Sequence, residues 1–195
     1  MIVDATGRAY VTHFGFDLFL GAPPAPSTLL CVEPTGEVRV VASDLLFPNG
    51  VAITSDGGTL IVAETFGGRL TAFSILADGS LTDRRCLAQL GNEPSWESVH
   101  TLLETNFAPD GCAIDKENCI WVADAVGGRV ARVSSDGRIL EERRPPQGLG
   151  VYSCALGGSD GKTLLLCTAP DFDDVKRKAT PQAKLFTTTV SVPRA

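Results

Sequence analysis

The sequence predicts an all-β fold, a partial β-propeller of about four four-stranded blades. Short apolar runs alternate with turn signals such as "SDGG", "ADGS", "SSDGR" and "GSDGK", in which glycine accepts the positive φ of a tight turn. Helical periodicity is nearly absent. The phrase "PNGVAITSDGGTLIVAETFGGRL" (48–70) recurs with the same layout as "PDGCAIDKENCIWVADAVGGRV" (109–130). A β-sandwich also has many short strands, but whole recurring phrases favour the propeller.

Four copies of one unit follow each other along the chain. The first covers 2–42 and contains a Pro-rich insertion, "GAPPAPS", and the second runs from Pro48 to about Leu90. The third runs from Pro109 to about Arg144, and the fourth starts near Tyr152 and finishes with "AKLFTTTVSVP". Each copy holds about four strands in roughly 40–45 residues, which is the length of a propeller blade. We expect inner strands near 51–54, 112–115 and 154–157, and a surface insertion or a loop with a short helical turn at 91–108.

The composition limits the classes of partner. The 195 residues carry a net charge of −6, so the chain lacks the basic surface that nucleic acid requires. No apolar run approaches the roughly 18–20 residues that span a bilayer, and no secretory signal is visible. The six cysteines form no CxxC pair, which favours small buried hydrophobes in a reducing compartment over disulfides or zinc sites. These observations predict a cytoplasmic protein that binds neither nucleic acid nor membranes.

At one position of the recurring phrase the side chain differs in type: the amide of Asn49 in the second blade is replaced by the carboxyl of Asp110 in the third. The loops that precede the inner strands of a propeller lie on one face, so equivalent positions converge on the axis. We therefore expect the two side chains to point towards a common centre. Their oxygen atoms suit hard cations such as Ca²⁺ or Mg²⁺. Each tripeptide taken alone is a common turn, so a purely structural role is the alternative.

Three stretches resemble the senescence-marker-protein/gluconolactonase family of regucalcin-like lactonases: "FPNGVAITSDGGTLIVAETFGGRLTAF", "APDGCAIDKENCIWVADAVGGRVARV" and "YSCALGGSDGKTLLLCTAPDFD". The resemblance covers essentially the whole chain. It implies a six-bladed propeller with one divalent ion on its axis (Ca²⁺ or Zn²⁺, with Mg²⁺ or Mn²⁺ as alternatives) and the hydrolysis of sugar lactones. By the same resemblance, Asn49 and Asp110 match metal ligands, and Asp110 also matches the catalytic general base.

The sequence also departs from the family pattern. The family's third metal ligand is a glutamate in its first blade, and a further pocket asparagine usually precedes the strand that resembles "MIVDATGRAY". Neither has a counterpart here. We therefore expect residues 1–195 to form a single propeller domain that lacks the first two blades of the family. The missing glutamate predicts weak metal binding. An open arc would also leave unpaired strand edges, which predicts poor solubility, self-association or a partner that supplies the missing blades.

Further residues are candidates for the substrate pocket. His13, Glu64 and Asp124 end the second strands of their blades and would reach the rim, although polar strand ends that face water are the alternative. Ser153 takes the position of the second blade's asparagine when the blades are aligned on their turn aspartates, but no partner histidine supports a nucleophile. The aromatic residues that would wall the pocket or pack in the core are Phe14, Phe16 and Tyr152.

Three functions fit these patterns. The first is metal-dependent hydrolysis of a small-molecule lactone or related ester, in which the ion polarises the ring carbonyl and Asp110 activates the attacking water. The second is metal binding without catalysis, which the missing glutamate and asparagine favour. The third is an interaction scaffold, a common use of propellers. The pairing of Asn49 with Asp110 favours the first two functions over the third.

Overall fold

The structure is a computed structural model that describes residues 1–146 and 148–195, and it contains four antiparallel sheets in chain order. Sheet 1 holds β1 (Ile2–Val3), β2 (Ala9–Thr12), β3 (Ser27–Val32) and β4 (Val38–Leu45). Sheet 2 holds β5 (Pro48–Ile53), β6 (Thr59–Glu64), β7 (Arg69–Ile75) and β8 (Leu81–Gln89). Sheet 3 holds β9 (Pro109–Ile114), β10 (Ile120–Asp124), β11 (Arg129–Val133) and β12 (Ile139–Arg143). Sheet 4 holds β13 (Gly150–Gly157), β14 (Thr163–Ala169) and β15 (Lys184–Thr189).

Short helical segments interrupt the strands within the described residues. They are a 3₁₀ turn at Thr65–Gly67, α1 (Val99–Leu102) and α2 (Asp174–Ala179). The last of these lies between β14 and β15 and is capped by Asp173, whose carboxylate accepts from Lys176 N at 2.9 Å. Among the described residues sheet 4 has three strands, one fewer than the roughly four expected for this blade. No helix in the described part of the chain has the length and apolar character that a bilayer crossing needs.

The predicted turn signals close the hairpins. Between β5 and β6, Asp56 accepts hydrogen bonds from Gly58 N at 2.9 Å and from Thr54 Oγ1 at 2.6 Å. Gly57 follows with φ +73°, a conformation that other L-residues rarely adopt. The hairpin between β11 and β12 repeats the pattern with Gly137 at φ +83°. The Asp-Gly pairs therefore have a local structural role.

Apolar side chains join each sheet to the next one along the chain. The cluster between sheets 1 and 2 includes Tyr10, Leu29, Leu60, Val62 and Phe73. The cluster between sheets 2 and 3 includes Ile61, Leu70, Phe107, Ile120 and Val122. The cluster between sheets 3 and 4 includes Trp121, Val130, Val151, Leu164 and Leu166. The inner strands β5, β9 and β13 consequently lie side by side, which confirms the propeller arrangement of blades.

The inner strands begin earlier than the sequence patterns predict. β5 starts at Pro48 and β9 at Pro109, so "PNG" and "PDG" lie inside these strands and not in loops that precede them. The interpretation of these tripeptides as turns is therefore wrong. Gly50 and Gly111 are absent from the glycines with positive φ, so a tight turn does not explain their presence. Close contacts between neighbouring blades explain it.

Candidate functional site

An extra residue near the start of each inner strand places side chains towards one cavity. In β5, Pro48 pairs with Glu64 and Val51 pairs with Val62, so the inner strand advances three residues while its partner advances two. This β-bulge, which contains Asn49, re-aims the side chains there. β9 repeats the bulge around Asp110, between the pairs Pro109↔Asp124 and Cys112↔Val122.

Sheet 4 has its bulge at Tyr152. Val151 pairs with Thr168 and Ser153 pairs with Cys167, so Tyr152 is the extra residue. Tyr152, and not Ser153, is therefore the counterpart of Asn49 and Asp110. Alignment on the turn aspartates misplaced this position by one residue, because the bulge lies between the turn and the site. The small residue that follows each site residue is the sequence signal that gives the correct alignment: Gly50, Gly111 and Ser153.

These small residues allow neighbouring inner strands to approach closely. A Cβ on Gly50 would overlap the carbonyl oxygen of Asp110 and would lie 2.8 Å from Cys112 N. A Cβ on Gly111 would lie 2.8 Å from Ser153 Cα and overlap its hydroxyl. Contacts this short are excluded between real side chains and backbone atoms, so each glycine is required by its neighbouring blade. The spacing between the bulge residues is thus set by contacts between blades.

A cavity of about 190 Å³ lies where the three bulges meet. Its polar lining residues are Asn49, Thr65, Thr105, Asp110 and Tyr152. Asn49 Nδ2 lies 3.4 Å from Thr65 Oγ1, and the Thr65 hydroxyl donates to Pro109 O at 2.7 Å, which links the second and third blades beneath the cavity. The structure therefore brings Asn49 and Asp110 to one site. Their roles as metal ligands and general base remain predictions.

The Asp110 carboxyl titrates near neutral pH. Burial raises the pKa of Asp110 to about 7, because the charged form loses water that the surroundings only partly replace. The Gly111 backbone N–H and the neighbouring Asn49 amide favour the charged form and oppose this rise. A carboxyl with a pKa near 7 exchanges a proton readily at physiological pH. Asp110 thus has the acid–base property that its predicted role requires.

Two further groups beside Asp110 stay protonated. Burial, together with Asp171 and Asp110, raises the pKa of the Tyr152 hydroxyl, so this hydroxyl remains a hydrogen-bond donor at neutral pH. Within the described part of the chain the hydroxyl has no hydrogen-bond partner, and it lies over Gly150, where a Cβ would come within 2.7 Å. Burial also raises the pKa of the Cys112 thiol to about 12, so this thiol is not a nucleophile at neutral pH.

The cavity fits a divalent cation only in part. Among residues 1–146 and 148–195, no three His, Cys, Asp or Glu side chains are grouped to hold a metal ion. Asp110 supplies one carboxylate and Asn49 supplies one amide oxygen, and both are ligand types that hard cations prefer. This pair would occupy two positions of a coordination shell. The other positions would need oxygen atoms from water, substrate or further protein groups.

Glu64 does not line the cavity. It is fully buried, and it accepts hydrogen bonds from Leu46 N at 2.6 Å, from Arg69 Nη2 at 3.0 Å and from the Thr71 hydroxyl. Arg69 lies directly across the hairpin in the register of β6 and β7. The acid and the arginine of the repeated phrase, "ETFGGR" here and "DAVGGR" in the third blade, therefore form an ion pair across the turn. These contacts explain the presence of a glutamate at this position, and no contact with a substrate is needed to explain it.

Asp124 has the same structural role in the third blade. It is fully buried and accepts from Ala108 N at 3.0 Å, from Gly127 N at 3.0 Å and from Arg129 Nε at 2.9 Å. Its hydrogen bonds fix the end of β10 and the segment that leads into β9. Glu64 and Asp124 therefore lie neither in the pocket nor at solvent-facing strand ends, which were the two positions expected from the sequence. The equal spacing between the acid and the arginine in the two copies of the phrase was the sequence signal for this structural role.

His13, Phe14 and Ser153 also lie outside the cavity lining. His13 is exposed and its ring nitrogens lie 3.0 Å from Thr28 Oγ1 and 3.1 Å from Ser27 Oγ. Phe14 stacks on Phe47 with ring centroids 5.1 Å apart, so it supports a lining residue from behind. Ser153 packs against Gly111. Phe14 and Ser153 therefore contact residues of the site from outside the cavity.

The insertions of the first blade and of 91–108 form an aromatic cluster above the site. Phe47, Phe66 and Leu102 are its buried centre, and Phe16 and Trp96 pack against them. The 91–108 segment contains the short helix α1 and supplies Leu103 and Thr105 to the cavity. A loop with a helical turn therefore covers the site, one of the two alternatives for this segment.

Comparisons with known proteins agree with this geometry. The family described as SMP-30/Gluconolactonase/LRE-like region matches residues 1–170. A "6-deoxy-6-sulfogluconolactonase" of Pseudomonas putida is 28% identical over 167 residues, which are 85% of this chain and 53% of that protein. The chain spans about half the length of the curated relatives that it matches.

Solved structures share the fold. A luciferin-regenerating enzyme superposes with a TM-score of 0.77 at 22% identity, over 99% of this chain and 61% of that one. A calcium-binding protein, regucalcin, from Agrobacterium tumefaciens superposes with a TM-score of 0.69 at 20% identity, over 99% of this chain and 60% of that one. The four sheets therefore match part of longer propellers.

Proposed function

Because this chain belongs to the SMP-30/gluconolactonase/LRE-like family, we propose that it takes part in the hydrolysis of a lactone or related ester. The observation that carries the proposal is the partly buried carboxyl of Asp110, with a pKa of about 7, beside Asn49 in one cavity. Lactone hydrolysis needs a group that accepts a proton from water and groups that orient the ester. The cavity offers both.

The proposed reaction assigns one task to each polar group. The oxygen of a water molecule attacks the ester carbonyl carbon while Asp110 accepts a proton from that water. The bond from the carbonyl carbon to the ring oxygen then breaks, the ring oxygen takes up the proton that Asp110 had accepted, and a hydroxy acid forms while the Asp110 carboxylate is regenerated. The Tyr152 hydroxyl, which is protonated and has no hydrogen-bond partner among the described residues, donates a hydrogen bond to an ester oxygen. Asn49 orients the Asp110 carboxylate.

A divalent cation is part of the proposal. Asn49 Oδ1 and the Asp110 carboxylate would hold it, with Ca²⁺ or Zn²⁺ as the first candidates and Mg²⁺ or Mn²⁺ as alternatives. When bound, such an ion would polarise the ester carbonyl and lower the pKa of a water molecule. The regucalcin relative is described as calcium-binding, which supports Ca²⁺ as the first ion to test.

A second function is binding of a cation or small molecule without turnover. The observation that favours it is the single carboxylate in the cavity lining of the described residues. One carboxylate and one amide give a weak cation site, and a weakly held ion contributes little to catalysis. This alternative uses the same cavity and differs from the first function only in that no hydrolysis product forms.

Acid release from lactones in a pH-stat, with and without EDTA, tests the proposal. We expect hydrolysis that EDTA suppresses, and loss of hydrolysis in Asp110→Asn. Glu37→Gln is the matched control, because Glu37 is an exposed turn residue far from the cavity lining. If Asp110→Asn retains full activity, the assignment of the proton acceptor is wrong. If no lactone is hydrolysed but Ca²⁺ binds, the second function is supported.

A further inference from the structure

The wall of the cavity is apolar to an extent that the proposed reaction does not require. Aromatic and aliphatic side chains from five separate segments form most of it: Leu18, Phe19, Phe47, Phe66, Leu103 and Phe172. Phe47 and Phe66 are held in place by edge-to-face packing with centroids 4.7 Å apart. Phe19 and Phe172 are partly exposed at the mouth. A ligand in this cavity therefore contacts apolar groups on several sides.

The hydrogen-bonding capacity of the cavity is small. Of the two threonines in the lining, Thr65 donates to Pro109 O at 2.7 Å and Thr105 donates to Phe107 O at 3.0 Å. Their hydroxyl protons are consequently used by the protein. The groups left for a ligand are the polar atoms of Asn49, Asp110 and Tyr152. These are sufficient for one ester group and the attacking water.

The lining also lacks a positive charge. Within residues 1–146 and 148–195, Asp110 is the charged side chain of the cavity, and no Arg, Lys or His lines it. A buried sulfonate or carboxylate needs such a partner, since an unpaired buried charge is costly. Each sugar hydroxyl that loses water without gaining a partner also weakens binding. The apolar wall would therefore bind the body of a polyhydroxylated or anionic lactone poorly.

We infer that the substrate is an uncharged lactone or ester whose body beside the ester group is apolar, either aromatic or alkyl. The inference rests on the proposed function and specifies its substrate class. It differs from the class named for the Pseudomonas putida relative, a sulfonated sugar lactone. The volume of about 190 Å³ restricts the ligand to one or two small rings, below the usual size of drug-like sites.

A pair of non-hydrolysable lactams tests the substrate class without depending on turnover. Isoindolinone is a small apolar aromatic lactam, and D-gluconolactam carries the hydroxyl groups of a sugar lactone. Calorimetry on the full chain with added Ca²⁺ gives the two dissociation constants. We expect isoindolinone to bind at least about tenfold more tightly, because D-gluconolactam leaves several hydroxyls without partners. Equal binding, tighter binding of D-gluconolactam or no binding of either lactam overturns the inference.

Variants locate the binding site. Phe172→Ser removes an aromatic wall at the mouth and should weaken isoindolinone binding by about threefold or more. Leu185→Ser removes an apolar side chain of β15 that is 68% exposed and outside the cavity, so it should leave binding unchanged. If Phe172→Ser leaves the isoindolinone affinity unchanged, the apolar wall is not the recognition surface.

Hydrolysis of the matching lactones separates this inference from the proposed function. If isoindolinone binds but neither phthalide nor D-gluconolactone is hydrolysed, the proposed hydrolysis is wrong and the apolar recognition stands. If D-gluconolactone is hydrolysed with the higher kcat/KM, the hydrolysis is supported and the apolar substrate class is wrong.

Discussion

Gly50 in the second blade lies directly against the main chain of Asp110 in the third blade. A Cβ on Gly50 would overlap the Asp110 carbonyl oxygen, so only glycine permits this approach. The residue before Gly50 is Asn49, whose side chain reaches the same cavity as Asp110. The close packing of two inner strands is therefore what holds an amide beside a carboxyl.

Replacement of Gly50 by alanine should destabilise the fold and separate the two site residues. The added methyl group has to displace backbone atoms of the neighbouring blade, which typically costs about 1–3 kcal/mol. Urea denaturation of both proteins measures the loss. The control is Gly157→Ala, because a Cβ at Gly157 meets no atom within 4 Å. A change within about 0.5 kcal/mol is expected there, and equal stability of both variants would contradict the packing argument.

The contribution of Asp110 to the stability of the metal-free protein should become less favourable as the pH rises from about 4 to about 7. Burial raises the pKa of Asp110 from 3.8 to about 7, so in this range the folded state binds more protons than the unfolded state. Above pH 7 the folded protein carries the full cost of a charged, partly buried carboxylate. That cost is at most about 4 kcal/mol.

The variant Asp110→Asn isolates this effect, because asparagine does not titrate. In EDTA-containing buffer it should be more stable than the parent protein at about pH 8, and the difference should disappear near pH 4. Denaturant midpoints across this range provide the measurement. A stability difference that stays constant with pH would show that the Asp110 carboxyl is not the titrating group.

Replacement of Tyr152 by phenylalanine should lower kcat/KM for lactone hydrolysis by about tenfold. The hydroxyl has no hydrogen-bond partner in the described protein, so it is free to donate to the substrate, and such a bond contributes about 1–1.5 kcal/mol. Tyr10→Phe is the control, since Tyr10 Oη donates to Gly79 O at 3.1 Å away from the cavity. Equal losses of kcat/KM in both variants would indicate a structural effect.

The variant Glu64→Gln should lose stability without a change in KM. Glu64 accepts charge-assisted hydrogen bonds from Arg69 and Leu46 N, and removal of its charge should cost about 1–3 kcal/mol. Thermal or urea denaturation measures the loss, and steady-state kinetics measures KM. An increase in KM with unchanged stability would return Glu64 to the substrate pocket.

The sequence determined the blades of this protein and the pairing of Asn49 with Asp110. Both depend on local information: Asp-Gly turns close hairpins through the conformations of a few neighbouring residues, and a repeated phrase occupies equivalent places in a radial array. The identity of the amide and the carboxylate at one repeated position was therefore readable from the chain alone.

The tertiary structure determined which third residue lies beside Asn49 and Asp110. It also determined which acidic residues lie outside the cavity. Tyr152 takes the equivalent position because a bulge in the pairing of β13 with β14 shifts the register by one residue. Glu64 and Asp124 are withdrawn from the cavity because arginines and backbone N–H groups surround them in the folded hairpins. Strand register and burial arise from contacts between segments distant in the sequence, so the repeated spacings could be interpreted only once the pairing of the strands was known.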